Sequence, residues 1–369
     1  MEGSLAPRTV VELAARCGAC LSEQEVTAAY RVSDFAGFIE TYKWVTSYLR
    51  APRDYALAAE RLAALLLAEN VVYGEVTLSV GVMLLRKQDV AANFRAIREA
   101  VAPFEKRGLR LQWIFDTVRQ FGASAAKEVV RRAIELRREG VVAFGMGGDE
   151  LSLPTSEFRD AYNQAAASGL RRVAHAGEIG GPELVREAVE QLGAERVGHG
   201  IAAVRDPYLM NWLANCAIPL EICPTSNVRT GALGLQLGRT ALPTGHDARV
   251  GDAPVREAPA REALVEAPNE APQRVGETPH LVALRDHPLP QILRSGIRVT
   301  LSTDDPAMFE TSLADEYASL GEMGLTAAEI LGIAESGFSS AFLSPNEKQQ
   351  LLANFRQGPA ALSLIQPLL

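Results

Sequence analysis

Cysteine is scarce in this sequence: 369 residues contain four, Cys17, Cys20, Cys216 and Cys223. That is too few for a disulfide scaffold in a chain of this length. Cys17-Gly-Ala-Cys20 has redox or zinc spacing, but no second pair follows it. Two half-buried thiols on a short helix is the plainer reading. Long apolar runs are missing too. None reaches the roughly 18 residues of a membrane span, and the densest, Leu62–Ala68, ends at Glu69 and Asn70. Met1-Glu2-Gly3-Ser4 lacks the basic region and apolar core of a signal peptide, so the cytoplasm is the default location. Positive charge is in deficit. A formal net charge of -8 argues against a nucleic-acid groove, which wants a basic face.

What is present is a 47% hydrophobic chain suited to a globular domain. A single domain over 1–369 is expected. Asp34–Arg50 and Pro52–Asn70 read as helices, with Ser33 a helix N-cap and Pro52 in a first turn. A beat then sets in. Strands are expected at Val71–Val80, Leu109–Val118, Val141–Gly145, Arg171–His175, Arg196–Gly198, Pro219–Cys223 and Ile297–Ser302. Helical stretches such as Ala91–Ala102, Ser124–Arg138, Glu157–Ser168 and Pro182–Leu192 lie between them. Alternation of this kind predicts βα units and a parallel sheet. The strands are near-continuous apolar runs, as expected when helices cover both faces. Seven strands suit an open doubly wound sheet, whereas a (β/α)8 barrel needs one more. No Gly-x-Gly-x-x-Gly follows the first strand, so a dinucleotide-binding sheet has little support.

One segment breaks the beat. Thr230 to about Leu284 carries Pro243, Pro254, Pro259, Pro268, Pro272 and Pro279 among Ala, Arg and Glu. It predicts a flexible surface insertion over 232–284. A lid over the site is the alternative.

Ionisable groups collect where the expected strands stop. Val-Ala-His175-Ala-Gly-Glu178 ends one, Gly198-His199-Gly200 another, and Ser302-Thr303-Asp304-Asp305-Pro306 a third. Strand C-termini are where a parallel barrel builds its chemistry. A neutral imidazole suits zinc, and a nearby carboxylate can hold or deliver a proton. The plainer alternative is a satisfied core histidine at His175 and a solvated glutamate at Glu178. Two adjacent aspartates repel, so a buried pair needs a cation or a strong donor. A solvated turn before a helix is the alternative there. Gly147-Gly148-Asp149-Glu150 follows a strand as well, and Asp149 and Glu150 read equally as the favourable start of a helix. His246, His280 and His287 are poorer candidates.

Jointly these pieces resemble the adenosine deaminase branch of the amidohydrolase superfamily. Gly148–Glu150, His175–Glu178, Gly198–Gly200, Cys223–Asn227, His287–Pro290 and Ser302–Phe309 carry the resemblance, in family order. It implies a (β/α)8 barrel of the metal-dependent hydrolase type with one catalytic Zn2+ per chain. It makes His175 and Asp304 zinc ligands. Glu178 would protonate purine N1, His199 would orient and deprotonate the zinc-bound water, and Asp305 would hydrogen-bond N7. The Gly148 N–H would meet N3, and Glu2 stands where family members meet the ribose 5′-hydroxyl. The implied reaction is hydrolytic deamination of a 6-aminopurine nucleoside. That nucleoside is adenosine, or 6-amino-6-deoxyfutalosine, a menaquinone precursor with a large 5′ substituent. Adenine deamination and an inactive purine-binding barrel are the alternatives. The family's first strand ends in His-x-His followed by Leu-Asp-Gly or Leu-Glu-Gly-Ser, and Met1-Glu2-Gly3-Ser4-Leu5 resembles that tail. The first barrel strand is therefore expected to be missing here. A chain starting there is expected to bind zinc weakly and deaminate poorly.

Overall fold

The computed structural model describes residues 1–239 and 282–358. Seven strands form where the apolar runs predict them. They are β1 (Tyr73–Leu78), β2 (Arg110–Val118), β3 (Val141–Gly147), β4 (Arg171–Ala176), β5 (Arg196–His199), β6 (Leu220–Ile222) and β7 (Val299–Leu301). Every pairing is parallel, and order in the sheet equals order in the chain. A doubly wound sheet reverses its order at a switch point; this one does not. It is the curled sheet of a (β/α)8 barrel with seven strands. Among the described residues, β1 pairs only with β2, and β7 only with β6.

The helices cover the outside for a simple reason. Gly122–Glu135 buries Ala126, Val129, Val130 and Ala133, the i, i+3, i+4, i+7 stripe of an amphipathic helix. Each fully buried Val contributes about 1.5–3 kcal/mol relative to exposure. Pro182–Leu192 forms within its expected bounds, with Pro182 at a first-turn position and Gly193 in the left-handed region beyond its end. Ser33 is not the cap of the Phe35–Thr46 helix. Asp34 is, its carboxylate accepting the Gly37 N–H at 2.8 Å. The Cys17–Cys20 stretch is not helical either. The Pro7–Arg16 helix stops before it, and Cys20 is exposed. No described helix is long and apolar enough to cross a membrane.

The two sheet edges meet other partners. At their C-terminal ends, the Met1 amine donates to Thr77 O on β1 at 2.6 Å, and Ala307 N–H, past β7, donates to Gly3 O at 3.1 Å. At the opposite mouth, buried Arg196 opens β5. It reaches Glu75 of β1 at 2.5 Å, Glu221 of β6 at 2.9 Å and Ser340 O at 3.0 Å. Its guanidinium lies 3.7 Å from the Phe342 ring centre. A charge this buried persists because it is paired.

Most of the expected 232–284 insertion, with His246 and His280, lies outside the described residues. Its first residues do not belong to it: Ala232–Gln236 is a helix with Leu233 and Gln236 buried.

Candidate active site

The register of β4 against β5 brings the first two groups together. His175 pairs with Gly198 and Ala176 with His199. Gly198 matters because a Cβ there would stand 3.3 Å from His175 Cγ. The two imidazole centres are 5.2 Å apart. Asp304, just beyond β7, completes the group: one ligand atom from each of His175, His199 and Asp304 lies within 4.8 Å of the others. His199 and Asp304 both sit at φ +57°. Such left-handed backbone costs of order 1–3 kcal/mol per residue, and it clusters where function demands it.

Glu178 is buried beside them, its Oε2 3.6 Å from His199 Nε2, which is 3.9 Å from Asp304 Oδ2. Burial pushes the Glu178 carboxyl well above the usual range, and the charges of Asp304 and Glu150 add to this. Glu178 is therefore biased toward its neutral acid form. Asp305 is pushed well up by burial and then by Asp304. Asp304 accepts the Ser226 hydroxyl at 2.7 Å.

The loop carrying Glu178 is held from two sides. Glu150 accepts the backbone N–H groups of Gly177, Glu178 and Gly180 at 2.9, 2.9 and 3.0 Å. Gln236 Nε2 donates to Glu178 O and Gly180 O, both at 2.8 Å. Glu150 is thus no helix start; the next helical turn begins at Thr155. Gly148 sits at φ +93°, and a Cβ there would lie 2.4 Å from Gln120 Oε1, which accepts the Asp149 N–H. Glu2 is buried at the end of β1, accepting Ser79 N–H at 3.1 Å.

Sequence reasoning missed several members. Asp116 lies inside β2 and is buried. Burial pushes it up to about 7, with His175 and the Gly147 amide opposing. The room for it is made by Gly145, where a Cβ would stand 2.7 Å from Asp116 Oδ1. His287, ranked low from its place before Pro288, is buried against Asn227, whose other end meets His199. Burial holds His287 down at about 3, so its ring is neutral.

His175 and Asp304 are donors of the zinc type, two of the three or more protein ligands that a catalytic zinc takes. His175 Nδ1 lies 3.1 Å from Met146 O, and a carbonyl only accepts. Its Nδ1 therefore carries the proton, and Nε2 keeps a lone pair for a metal. Asp304 supplies an oxygen donor. Imidazole nitrogen and carboxylate oxygen are ordinary zinc ligands.

The family pattern described as adenosine deaminase matches residues 1–236 and 277–357. The aminodeoxyfutalosine deaminase of Streptomyces avermitilis is 34% identical over 97% of this chain and 89% of its own. The adenine deaminase of Streptomyces coelicolor is 30% identical over 94% of this chain and 89% of its own. An amidohydrolase structure from Burkholderia ambifaria, with bound Zn, superposes with a TM-score of 0.79. It has 22% identity and covers 100% of this chain and 90% of that one.

Proposed function

The chain belongs to the adenosine deaminase family, and on that premise we propose that it hydrolytically deaminates a 6-aminopurine nucleoside. Water adds its oxygen to C6, the exocyclic amine leaves as ammonia, and a 6-oxopurine remains. The observation that carries this is Glu178, a buried carboxyl whose pKa burial raises, placed beside His199 and the His175–Asp304 donor pair. A purine needs a proton at N1 before C6 accepts oxygen, and a neutral carboxylic acid delivers one where a carboxylate cannot.

His175 and Asp304 would hold the metal. A zinc ion there would supply Lewis acidity for activating the attacking water. The remaining roles belong to side chains and backbone. His199 orients the attacking water. Asp305 hydrogen-bonds N7, and the Gly148 N–H meets N3. Glu2, at the end of β1, stands by the 5′ side of the sugar. Its carboxylate is longer than an aspartate and changes that contact. We read the partner as a small nucleoside, adenosine or aminodeoxyfutalosine. The similarity to the aminodeoxyfutalosine enzyme supports the second, and the Asp304–Leu313 run resembles the nucleoside enzymes more than the adenine-base enzymes.

Ammonia release from adenosine, aminodeoxyfutalosine and adenine, in parallel and with zinc supplied, tests this. Release from a nucleoside is expected, with Glu178→Gln lowering kcat on the order of 10²–10⁴-fold. Release from adenine alone would overturn the nucleoside reading. No release from any of the three, with a His-x-His strand supplied ahead of Met1, would overturn deamination itself.

A further inference from the structure

We infer that Asn227 and His287 are positioning residues that lock His199 as its Nε2–H tautomer, opposite to that of His175. The argument starts from a backbone amide, whose polarity is fixed. Leu289 N–H can only donate, and it lies 3.0 Å from His287 Nδ1. That nitrogen therefore carries the lone pair, and the proton of the ring is on Nε2. His287 Nε2 lies 3.2 Å from Asn227 Oδ1 and donates to it. This fixes which end of the Asn227 amide is oxygen. Its Nδ2, a donor only, then faces His199 Nδ1 at 3.0 Å. His199 Nδ1 accepts, so the proton of the ring sits on Nε2. That nitrogen looks toward Glu178 Oε2 at 3.6 Å and Asp304 Oδ2 at 3.9 Å.

Burial makes the chain of bonds directional. His287, Asn227 and His199 are 3%, 0% and 2% exposed. Water cannot rescue a reversed link, and two donors facing each other in the interior leave both unsatisfied. His175 is set the other way by the Met146 carbonyl. Two imidazoles 5.2 Å apart thus present unlike nitrogens to one pocket. His175 offers a lone pair, and His199 offers a proton. Asn227 and Ser226 share the Pro224–Arg229 helix, so one short element holds both His199 and Asp304. The inference rests on the deaminase reading only for its kinetic consequence: His199 meets the attacking water as a hydrogen-bond donor that orients it, not as the base that the resemblance implies.

The experiment is long-range 1H–15N correlation on the full chain labelled at its five histidines, with and without zinc. Single His→Gln variants assign the rings. In the metal-free protein, His199 is expected to carry its proton on Nε2 and His175 on Nδ1. Asn227→Asp, which puts an acceptor against His199 Nδ1, is expected to move the His199 proton to Nδ1 with zinc content unchanged. It should lower kcat on the order of 10²-fold or more with little change in KM, since a wrong imidazole tautomer alone is that costly. Wild-type His199 protonated on Nδ1 overturns the inference, as does an Asn227→Asp protein that folds and keeps the Nε2–H form. If Asn227→Asp does not fold, the wild-type spectrum still decides. Tautomers as stated, with no purine deaminated, would leave this inference standing and sink the proposed reaction.

Discussion

Replacing Glu150 by Gln should cost the protein both stability and catalysis, although Glu150 is not among the groups placed on the substrate. Its Oε2 accepts the Gly177 and Gly180 N–H groups, and its Oε1 accepts the Glu178 N–H. Glutamine is nearly isosteric but keeps one acceptor oxygen. If that oxygen serves Gly177 and Gly180, the new NH2 faces the Glu178 N–H, donor against donor. One carboxylate hydrogen bond is lost, worth about 1.5–3 kcal/mol, and a buried N–H is left unsatisfied at about 1–3 kcal/mol. Relaxation of the loop offsets part of this, so a loss of roughly 2–4 kcal/mol is expected. Glu150→Ala would strand all three amides and approach the whole stability of an ordinary domain, about 5–15 kcal/mol. Urea unfolding at constant m-value measures the first. Because the stranded amide belongs to Glu178, kcat should fall as well, on the order of 10²-fold for a displacement of about 1 Å. A Glu150→Gln protein within about 0.5 kcal/mol of the parent, with unchanged kcat, would refute the view that this carboxylate builds the loop.

Three further outcomes are expected. In the metal-free protein, stability should fall as pH rises from about 4 to about 7, because the folded state keeps the Asp116 proton that the unfolded chain releases near 3.8. Asp116→Asn should flatten the urea midpoint over that window by an amount of order 4 kcal/mol, and an equally steep profile in the variant would count against it. Gly145→Ala should cost about 1–3 kcal/mol by overpacking, since its Cβ meets Asp116 Oδ1 at 2.7 Å. Asp116→Ala should relieve much of that in the double variant; strict additivity would show the two sites uncoupled. Added Zn2+ should raise Tm in the parent and in His199→Gln, but not in His175→Ala or Asp304→Asn, and equal shifts in all four would place the metal elsewhere.

The strands and the reactive motifs were legible in the sequence for one physical reason. A strand covered on both faces must be apolar throughout, so the point where it turns ionisable marks the mouth of the barrel. Val173–Glu178 shows both features within one run. The supports were not legible, because their meaning lies in partners distant along the chain. Glu150 meets an amide 28 residues on, and His287 meets a side chain 60 residues back. Locally, Glu150 reads as an acidic helix start, and His287 as the residue before a proline. Asp116 was hidden differently. A single acid inside Ile114-Phe115-Asp116-Thr117-Val118 does not interrupt a strand pattern, and the vacancy that admits it comes from Gly145 on the next strand. Ser33 lost the cap to Asp34 by one residue, within the ordinary uncertainty of helix ends.

The supports share a geometry that explains why they took this form. His175 on β4 is oriented by Met146 of β3, and Glu178 after β4 by Glu150 after β3. His199 at the end of β5 and Asp304 after β7 are oriented by Asn227 and Ser226, both after β6. Each of these four groups has a hold from an adjacent strand. Neighbouring strands lie about 4.8 Å apart, a gap that one side chain spans. A residue on the same strand points to the opposite face or lies two positions away, so it cannot supply this hold. The site is therefore a property of the sheet's register and curl rather than of any one motif. Its pieces read as separate motifs in the chain, yet none can be oriented until the strand beside it has paired.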